Sequence, residues 1–186
     1  MRQFFLNTRF WILFLLYIAG IQFSFSQQNR ILISADKVAY KKIDTTTLNL
    51  HVYKPLNFKK ENTYNCIVFF HGGGWNNGNP DLFKRQAMYF ASRGMIAISA
   101  EYRIKSKHGT TPFEAVEDAK SAIRFVRKNA KEMNINPLMI AAGGGSAGGH
   151  LAAACGNIEG LDNPIENLKI SSVPNALVLL NPVIDN

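Results

Sequence analysis

Two kinds of apolar pattern alternate along the chain and predict alternating strands and helices. Four short segments are largely apolar, which is typical of strands buried on both faces of a parallel sheet. They are residues 64–70, 95–100, 138–142 and 176–180. The longer segments between them carry apolar residues at helical spacing. The pattern therefore predicts an α/β domain with a mostly parallel sheet and flanking helices.

The clearest predicted helix follows Thr111. Thr111 and Glu114 have the spacing of a capping box, and Pro112 takes the first helical position, where a missing N–H is tolerated. The pattern predicts a long surface helix with one buried face. That face consists of Val116, Ala119, Ile123, Val126 and Ala130.

A second helix is predicted over residues 82–92, with Asp81 as its cap and Gly94 at its end. Upstream, residues 48–53 alternate between apolar and polar, which predicts an antiparallel edge strand with one face in solvent. His51 falls on the polar phase of this strand and is predicted to be a surface histidine.

Residues 1–26 have the pattern of a secretory signal peptide. Arg2 and Arg9 are their only charged residues, and an unbroken apolar segment covers residues 10–21. This segment is shorter than the roughly 20 residues of a membrane span, which favours a cleaved signal over an uncleaved anchor. We therefore predict a secreted or periplasmic protein whose folded domain is residues 27–186.

The charge of the chain favours solubility rather than a particular partner. The net charge is +8 at pH 7, but the lysines and arginines are scattered and are not interleaved with aromatic residues. Nucleic-acid surfaces combine clustered cations with stacking aromatics, so nucleic acid is not predicted as a ligand. An acidic polymer is the alternative interpretation of the basic balance.

Two cysteines, Cys66 and Cys155, lie in apolar sequence. In an exported protein they could form a disulfide, but a free buried cysteine behaves as a small apolar residue, and we favour that interpretation. No cysteine–histidine spacing indicates a metal site, and no metal or other cofactor is predicted.

The stretch that most clearly suggests chemistry lies between a predicted strand and a predicted helix. Residues 144–148 have the sequence G-x-S-x-G, with Ser146 at the centre and small residues around it. In a strand-to-helix turn this is the nucleophile elbow, where the backbone turns so tightly that neighbouring residues must be small. Ser146 is therefore the candidate nucleophile.

Three other interpretations of this stretch are open. Gly143, Gly145 and Gly148 satisfy a dinucleotide-binding fingerprint, but the acidic residue about 20 positions later is Glu166, which lies in a polar segment rather than at a strand end. A phosphate-binding P-loop would need a Gly-Lys-Ser/Thr sequence, which does not follow. The third is a glycine-rich turn without chemistry.

A second glycine-rich motif favours the nucleophile elbow over these alternatives. Residues 71–75 have the sequence HGGGW and directly follow the apolar segment 64–70. A loop of this type supplies N–H groups to the oxyanion hole of lipases and esterases. Two motifs of one catalytic machine, each after a strand and in the expected order, are more specific than either motif alone.

With these motifs the sequence resembles the α/β-hydrolase superfamily. It is most similar to bacterial esterases of the hormone-sensitive-lipase-like and ferulic-acid-esterase-like groups. The resemblance extends from about Tyr40 to the last residue, and it rests on HGGGW at residues 71–75, EYR at residues 101–103 and GGSAGGHLA at residues 144–152.

The resemblance implies an α/β-hydrolase fold and a catalytic role for four residues. Ser146 would attack an ester carbonyl, and the backbone N–H groups of Ala147, Gly73 and Gly74 would hold the oxyanion that forms.

Supporting roles are implied for five more residues. His71 and Gly72 would shape the oxyanion loop, and Trp75 would line the pocket or, alternatively, belong to the core. Arg103 would form a structural ion pair, and His150 would be structural rather than a base.

The base and acid of a catalytic triad are not evident in the sequence. On this fold the acid and then the histidine follow the serine. After Ser146 the only histidine is His150, one helical turn away, and Asp118 belongs to a helix beneath the sheet and is a poor candidate for the acid. We therefore expect an N-terminal portion of an esterase that ends after about the sixth strand, and we expect these residues alone to be catalytically silent.

The predicted function of the complete protein is that of an exported serine carboxylic-ester hydrolase. Its substrate would be a small-molecule or carbohydrate ester, with an acyl or acetyl group on a plant-derived carbohydrate as one candidate. A non-catalytic binding module that keeps the fold is the alternative. The sequence indicates neither the acyl specificity nor an oligomeric state.

Overall fold

A six-stranded sheet organises residues 33–184, the part of the chain that the computed structural model describes. In chain order the elements are β1 (Ala35–Ile43), β2 (Thr46–Tyr53), β3 (Tyr64–Phe70), a 3-10 turn (Pro80–Phe83), α1 (Lys84–Ser92), β4 (Ile96–Ala100), α2 (Lys105–His108), α3 (Pro112–Lys128), β5 (Ile135–Ser146), α4 (Ala147–Asn157) and β6 (Ala176–Pro182). The predicted signal peptide, residues 1–26, lies outside the described residues and stays a prediction.

The sheet confirms the predicted α/β class. The strands lie in the order β1-β2-β4-β3-β5-β6, and β3 to β6 are mutually parallel, whereas β1 and β2 pair antiparallel. Helices α3 and α4 contribute to a core on one face, and α1 contributes to a core on the other. Alternate residues of β3 enter the two cores, which explains why this strand is almost continuously apolar.

The prediction that residues 48–53 form an edge strand is wrong. β2 is antiparallel as predicted, but it lies between β1 and β4, and β1 covers it from Ala35 to Ile43. His51 is consequently not a surface histidine, since only 13% of its side chain is exposed and its Nε2 lies 3.0 Å from Oε1 of Glu101. Alternation along one strand reports its two faces and does not reveal how many neighbours it has.

The two predicted helices differ in how well their starts were located. α3 begins with the predicted capping box, in which the N–H of Thr111 donates to Oε2 of Glu114 at 2.8 Å, and the predicted apolar stripe is buried. The other helix starts earlier than predicted, with the 3-10 turn at Pro80, and its cap is Asn79, whose side chain accepts from the N–H of Asp81. Proline has a fixed φ that suits a first helical position.

A long connection between α4 and β6 is tied to α3 by two buried cations. Nζ of Lys120 donates to the carbonyl of Ile158 at 2.7 Å, and Nε of Arg124 donates to the carbonyl of Ile170 at 2.8 Å. Both cations also pair with Asp162, and Arg124 pairs with Glu166. These bonds fix an irregular segment that leads into β6, beside the strand that carries Ser146.

Both cysteines are free and buried, as favoured from the sequence. Burial raises the pKa of the Cys66 thiol, and it raises that of Cys155 to about 12. Within residues 33–184, no helix has the length and apolarity needed to cross a membrane.

A buried ion-pair cluster joins the segment after β4 to α3. Asp118 is fully buried; its Oδ2 lies 2.7 Å from Nε of Arg103, and its Oδ1 lies 2.8 Å from Nζ of Lys41. This is the structural ion pair expected for Arg103. These contacts also agree with the expectation that Asp118 is not the catalytic acid, because its buried carboxylate is paired with Arg103 and Lys41.

Replacement of Asp118 by alanine is expected to lower the free energy of unfolding by about 3 kcal/mol, because Lys41 and Arg103 then lose their fully buried carboxylate and keep only that of the partly exposed Glu117. Denaturant unfolding followed by circular dichroism measures this. The matched control is Asp36→Ala, whose partner Lys54 lies at 2.9 Å but whose side chain is 63% exposed. An exposed pair contributes about 1 kcal/mol or less. Equal losses in the two variants would contradict the importance of the cluster.

Candidate active site

The two glycine-rich motifs meet at one edge of the sheet. β3 and β5 are adjacent and parallel, with Phe70 opposite Gly144 in the register. The loop that follows β3 and the turn that follows β5 therefore emerge side by side. This placement depends only on strand order and register, and it brings together residues that are more than seventy positions apart in the sequence.

Ser146 sits in the backbone conformation of a tight strand-to-helix turn. Its φ is 53° and its ψ is −122°, while Ala147 directly after it begins α4. A residue other than glycine in such a conformation costs about 1–3 kcal/mol, and such strain is usually found at functional sites. The side chain of Ser146 is exposed, so its hydroxyl is available at the N-terminus of the helix.

The start of α4 packs directly against the end of β3, and only glycine permits this. A Cβ placed on Gly148 would overlap the carbonyl oxygen of Phe70 and lie 2.5 Å from that of His71. Real Cβ atoms essentially never approach backbone so closely. Gly148 thus allows the N-terminus of α4 to contact β3, the strand that leads into the second motif.

The second motif forms a loop with left-handed backbone. The φ angles are 125° at Gly73, 59° at Gly74 and 55° at Trp75. The carbonyl of Gly73 accepts from the N–H groups of Asn76 and Asn77, both at 3.1 Å, which closes the loop. Among the described residues, no main-chain carbonyl accepts a hydrogen bond from the N–H of Gly73 or of Gly74, so both groups remain available to a ligand.

The loop passes immediately beside the serine. A Cβ on Gly72 would lie 3.5 Å from Cβ of Ser146 and 3.0 Å from the carbonyl oxygen of Gly145. One hydroxyl, the first N–H of a helix and a loop of free N–H groups therefore share a small region. Chemically, such a group can present a nucleophile to a carbonyl carbon and donate hydrogen bonds to an oxygen that becomes negative.

None of the four histidines of the chain is placed as a base for Ser146 in the described structure. His71 is buried, and its Nδ1–H donates to the carbonyl of Gly72 at 2.8 Å. Burial lowers the pKa of His71 and that of His150, so both rings favour the neutral form. His51 contacts Glu101, and His108 contacts the main chain of Ile104. None of the four pairs with Ser146.

Trp75 and His150 touch each other next to the loop. Their rings meet edge-on with centroids 5.2 Å apart, and Trp75 also packs against the larger core. Nε1 of Trp75 and Nδ1 of His150 are buried without a hydrogen-bond partner among the described residues. Trp75 thus has the core contact that was one of its two predicted roles.

The carboxylate that a dinucleotide site would require is not available. Glu166 lies in the connection between α4 and β6, where its Oε2 is 2.7 Å from Arg124. It is not at the end of a strand, where it would contact a ribose. Within residues 33–184, no group of three or more His, Cys, Asp or Glu side chains is placed to hold a metal ion.

Sequence reasoning missed a polar cluster around Glu101, at the end of β4. Its carboxylate accepts from the N–H and Nδ2 of Asn49, each at 3.0 Å, and from Nε2 of His51 at 3.0 Å. Burial by itself raises the pKa of Glu101, but these hydrogen bonds outweigh it and the net pKa is lowered. The available signal was the polar phase of β2, which carries Asn49 and His51 on one face.

A family model and several curated proteins match this chain. The model of the BD-FAE family matches residues 50–186. Carboxylesterase NlhH of Mycobacterium tuberculosis is 37% identical over 89 residues, which is 47% of this chain and 27% of that protein. An AB hydrolase superfamily protein of Schizosaccharomyces pombe is 33% identical over 104 residues, which is 55% of this chain and 30% of that protein.

A solved esterase has a similar structure. The apo form of Thermogutta terrifontis esterase 2 has a TM-score of 0.79 and 48% sequence identity, over 81% of this chain and 56% of that one. The same esterase has been solved phosphonylated by cyclosarin, and with propionate or butyrate bound. The chain thus spans just over half of this esterase and less than a third of the two curated relatives.

Proposed function

We infer the function of this chain from the family to which it belongs: it is a member of the BD-FAE family, whose model matches residues 50–186, and it has an α/β-hydrolase fold. This membership confirms the predicted resemblance to bacterial esterases. We propose that the full-length protein is an exported serine hydrolase of carboxylic esters. The observation that carries the proposal is the contact between the loop at Gly72 and the exposed Ser146 at the start of α4.

The proposed reaction proceeds through an acyl-enzyme. Oγ of Ser146 attacks the ester carbonyl and gives its proton to a general base, which the full-length protein has to supply. The tetrahedral oxyanion accepts hydrogen bonds from the N–H groups of Ala147, Gly73 and Gly74, each worth about 3 kcal/mol of barrier. The bond to the alcohol oxygen then breaks as that oxygen is protonated. Attack by water on the acyl carbon releases the acid and restores Ser146.

We propose short-chain acyl esters as the substrate class, with acylated carbohydrates as natural candidates. Support comes from the similar esterase 2, which binds propionate and butyrate. Its phosphonylation by cyclosarin supports a reactive nucleophile in proteins of this structure. Export is proposed from the sequence of residues 1–26 alone, and N-terminal sequencing of the protein recovered from the medium or periplasm tests it.

The function is tested by labelling and turnover of the full-length protein. A fluorophosphonate is expected to add one label to the peptide that contains Ser146, as read by mass spectrometry. p-Nitrophenyl acetate and butyrate are expected to be hydrolysed faster than the dodecanoate. The alternative, a non-catalytic binding module, predicts no label and no turnover in the same preparation, and that pair of results would exclude the esterase.

A further inference from the structure

Tyr102 contacts the oxyanion loop at residues 71–75 from a neighbouring part of the chain. It follows β4, and its side chain is almost fully buried. Its hydroxyl donates to the carbonyl oxygen of His71 at 2.8 Å. Its ring also stacks on the imidazole of His71, with centroids 4.3 Å apart and planes 20° apart. One side chain therefore holds both the main chain and the ring of the residue with which the loop begins.

The carbonyl of His71 is the point at which the two halves of the candidate site meet. A Cβ on Gly148 would lie 2.5 Å from this oxygen, so it lies against the first turn of α4. The same peptide group continues into Gly72, which passes beside Ser146. A rotation of this peptide would redirect the N–H groups of Gly73 and Gly74, which lie two and three positions after His71.

Packing and a hydrogen bond both act on this peptide. Gly78 lies so close that a Cβ there would come within 2.5 Å of Nδ1 of His71 and of the carbonyl oxygen of Gly72, although a cavity of about 130 Å³ also borders His71, Gly78 and Tyr102. The hydrogen bond from Tyr102 is directional, whereas stacking of two rings permits sliding. Its hydroxyl therefore adds a directional hydrogen bond to the packing that surrounds the His71 carbonyl.

Tyr102 is itself held from both sides. Glu101 before it accepts hydrogen bonds from β2, through Asn49 and His51. Arg103 after it is fixed to Asp118 by its side chain and by its main-chain N–H, at 2.7 and 3.0 Å. The EYR segment thus places the hydroxyl with both neighbours anchored.

We propose that Tyr102 is a positioning residue for the oxyanion hole: by holding the His71 carbonyl, it aims the N–H groups of Gly73 and Gly74 at the developing oxyanion. This inference rests on the proposed esterase function. It assigns to Tyr102 an effect on the transition state rather than on substrate binding, since the oxyanion exists only after the serine has attacked.

The experiment compares Tyr102→Phe with Tyr40→Phe in the full-length protein. Tyr40 is a matched control, because its hydroxyl also donates to a main-chain carbonyl, that of Glu101, at 2.6 Å, and among the described residues it makes no hydrogen bond to the loop at residues 71–75. Both variants are expected to unfold at lower denaturant. Only Tyr102→Phe is expected to lower kcat, about tenfold, with KM changed less than twofold.

A second measurement separates positioning from general loss of structure. A trifluoromethyl ketone forms an oxyanion on the serine, and its affinity for Tyr102→Phe is expected to fall about tenfold, in step with kcat/KM. Equal kcat in the two tyrosine variants, or unchanged ketone affinity, would overturn the proposal. If the wild type and Ser146→Ala have the same rate, the esterase function itself fails, and the positioning role fails with it.

Discussion

Replacement of Ser146 by alanine is expected to lower kcat for p-nitrophenyl butyrate by about ten thousand- to a millionfold in the full-length protein. The variant keeps the amide donors of the loop and of α4, but it has no oxygen to form the acyl-enzyme. Serine hydrolases that lose the nucleophile retain only the rate that oxyanion stabilisation and binding provide. Stopped-flow or steady-state release of p-nitrophenolate measures the loss, and intact-protein mass spectrometry should find no fluorophosphonate adduct.

The comparison needs a serine that is exposed but remote from the loop. Ser92 satisfies this, since it ends α1 and its hydroxyl donates to the carbonyl of Tyr89. Ser92→Ala is expected to label and turn over like the wild type. Full activity in Ser146→Ala would refute the assignment of the nucleophile, and so would a label that maps to another residue.

Replacement of Gly148 by alanine is expected to abolish turnover and to lower the free energy of unfolding by more than about 5 kcal/mol. A single added methyl group would overlap the carbonyl of Phe70, which is backbone and cannot rotate away. Changes of this size are exceptional for one methyl group and require a clash that the surroundings cannot relieve. Denaturant unfolding and the fluorophosphonate labelling rate should both report the loss.

The same substitution elsewhere on α4 serves as the control. Gly156 lies in the last turns of the helix, and a Cβ there would meet only the side chain of Leu177, at 3.4 Å. Gly156→Ala is expected to be neutral or to stabilise by up to about 1 kcal/mol, since alanine favours helix more than glycine does. If Gly148→Ala lost as little stability as Gly156→Ala, the contact between α4 and β3 would tolerate extra volume and this prediction would be wrong.

Much of the architecture could be predicted because its signals are local. The apolar segment at residues 64–70 indicates a buried strand by composition, and it forms β3. The capping box at Thr111 and the stripe that follows it define α3 within a few residues. The candidate site was also predictable as a pair of motifs, because parallel strands bring the loops that follow them to one edge of the sheet.

Apart from the start of the first helix, the features that sequence reasoning missed depend on which strands are adjacent in the sheet. Nothing local in β2 reveals that β1 covers it, so His51 was predicted to face solvent. The hydrogen bonds from Asn49 to Glu101 join β2 to the residue that follows β4, and the pairing of these two strands follows from the order of the sheet. The contact of Tyr102 with His71 arises for the same reason, since β4 lies beside β3.

The docking of α4 on β3 has a consequence for when the proposed active site can form. Ser146 lies more than seventy positions after Gly72, and contacts between segments so distant in sequence tend to form late in folding. Local elements, such as the β1–β2 hairpin, can form earlier without assembling the proposed site. The time at which Ser146 becomes susceptible to covalent labelling during refolding would therefore report when these distant segments come together.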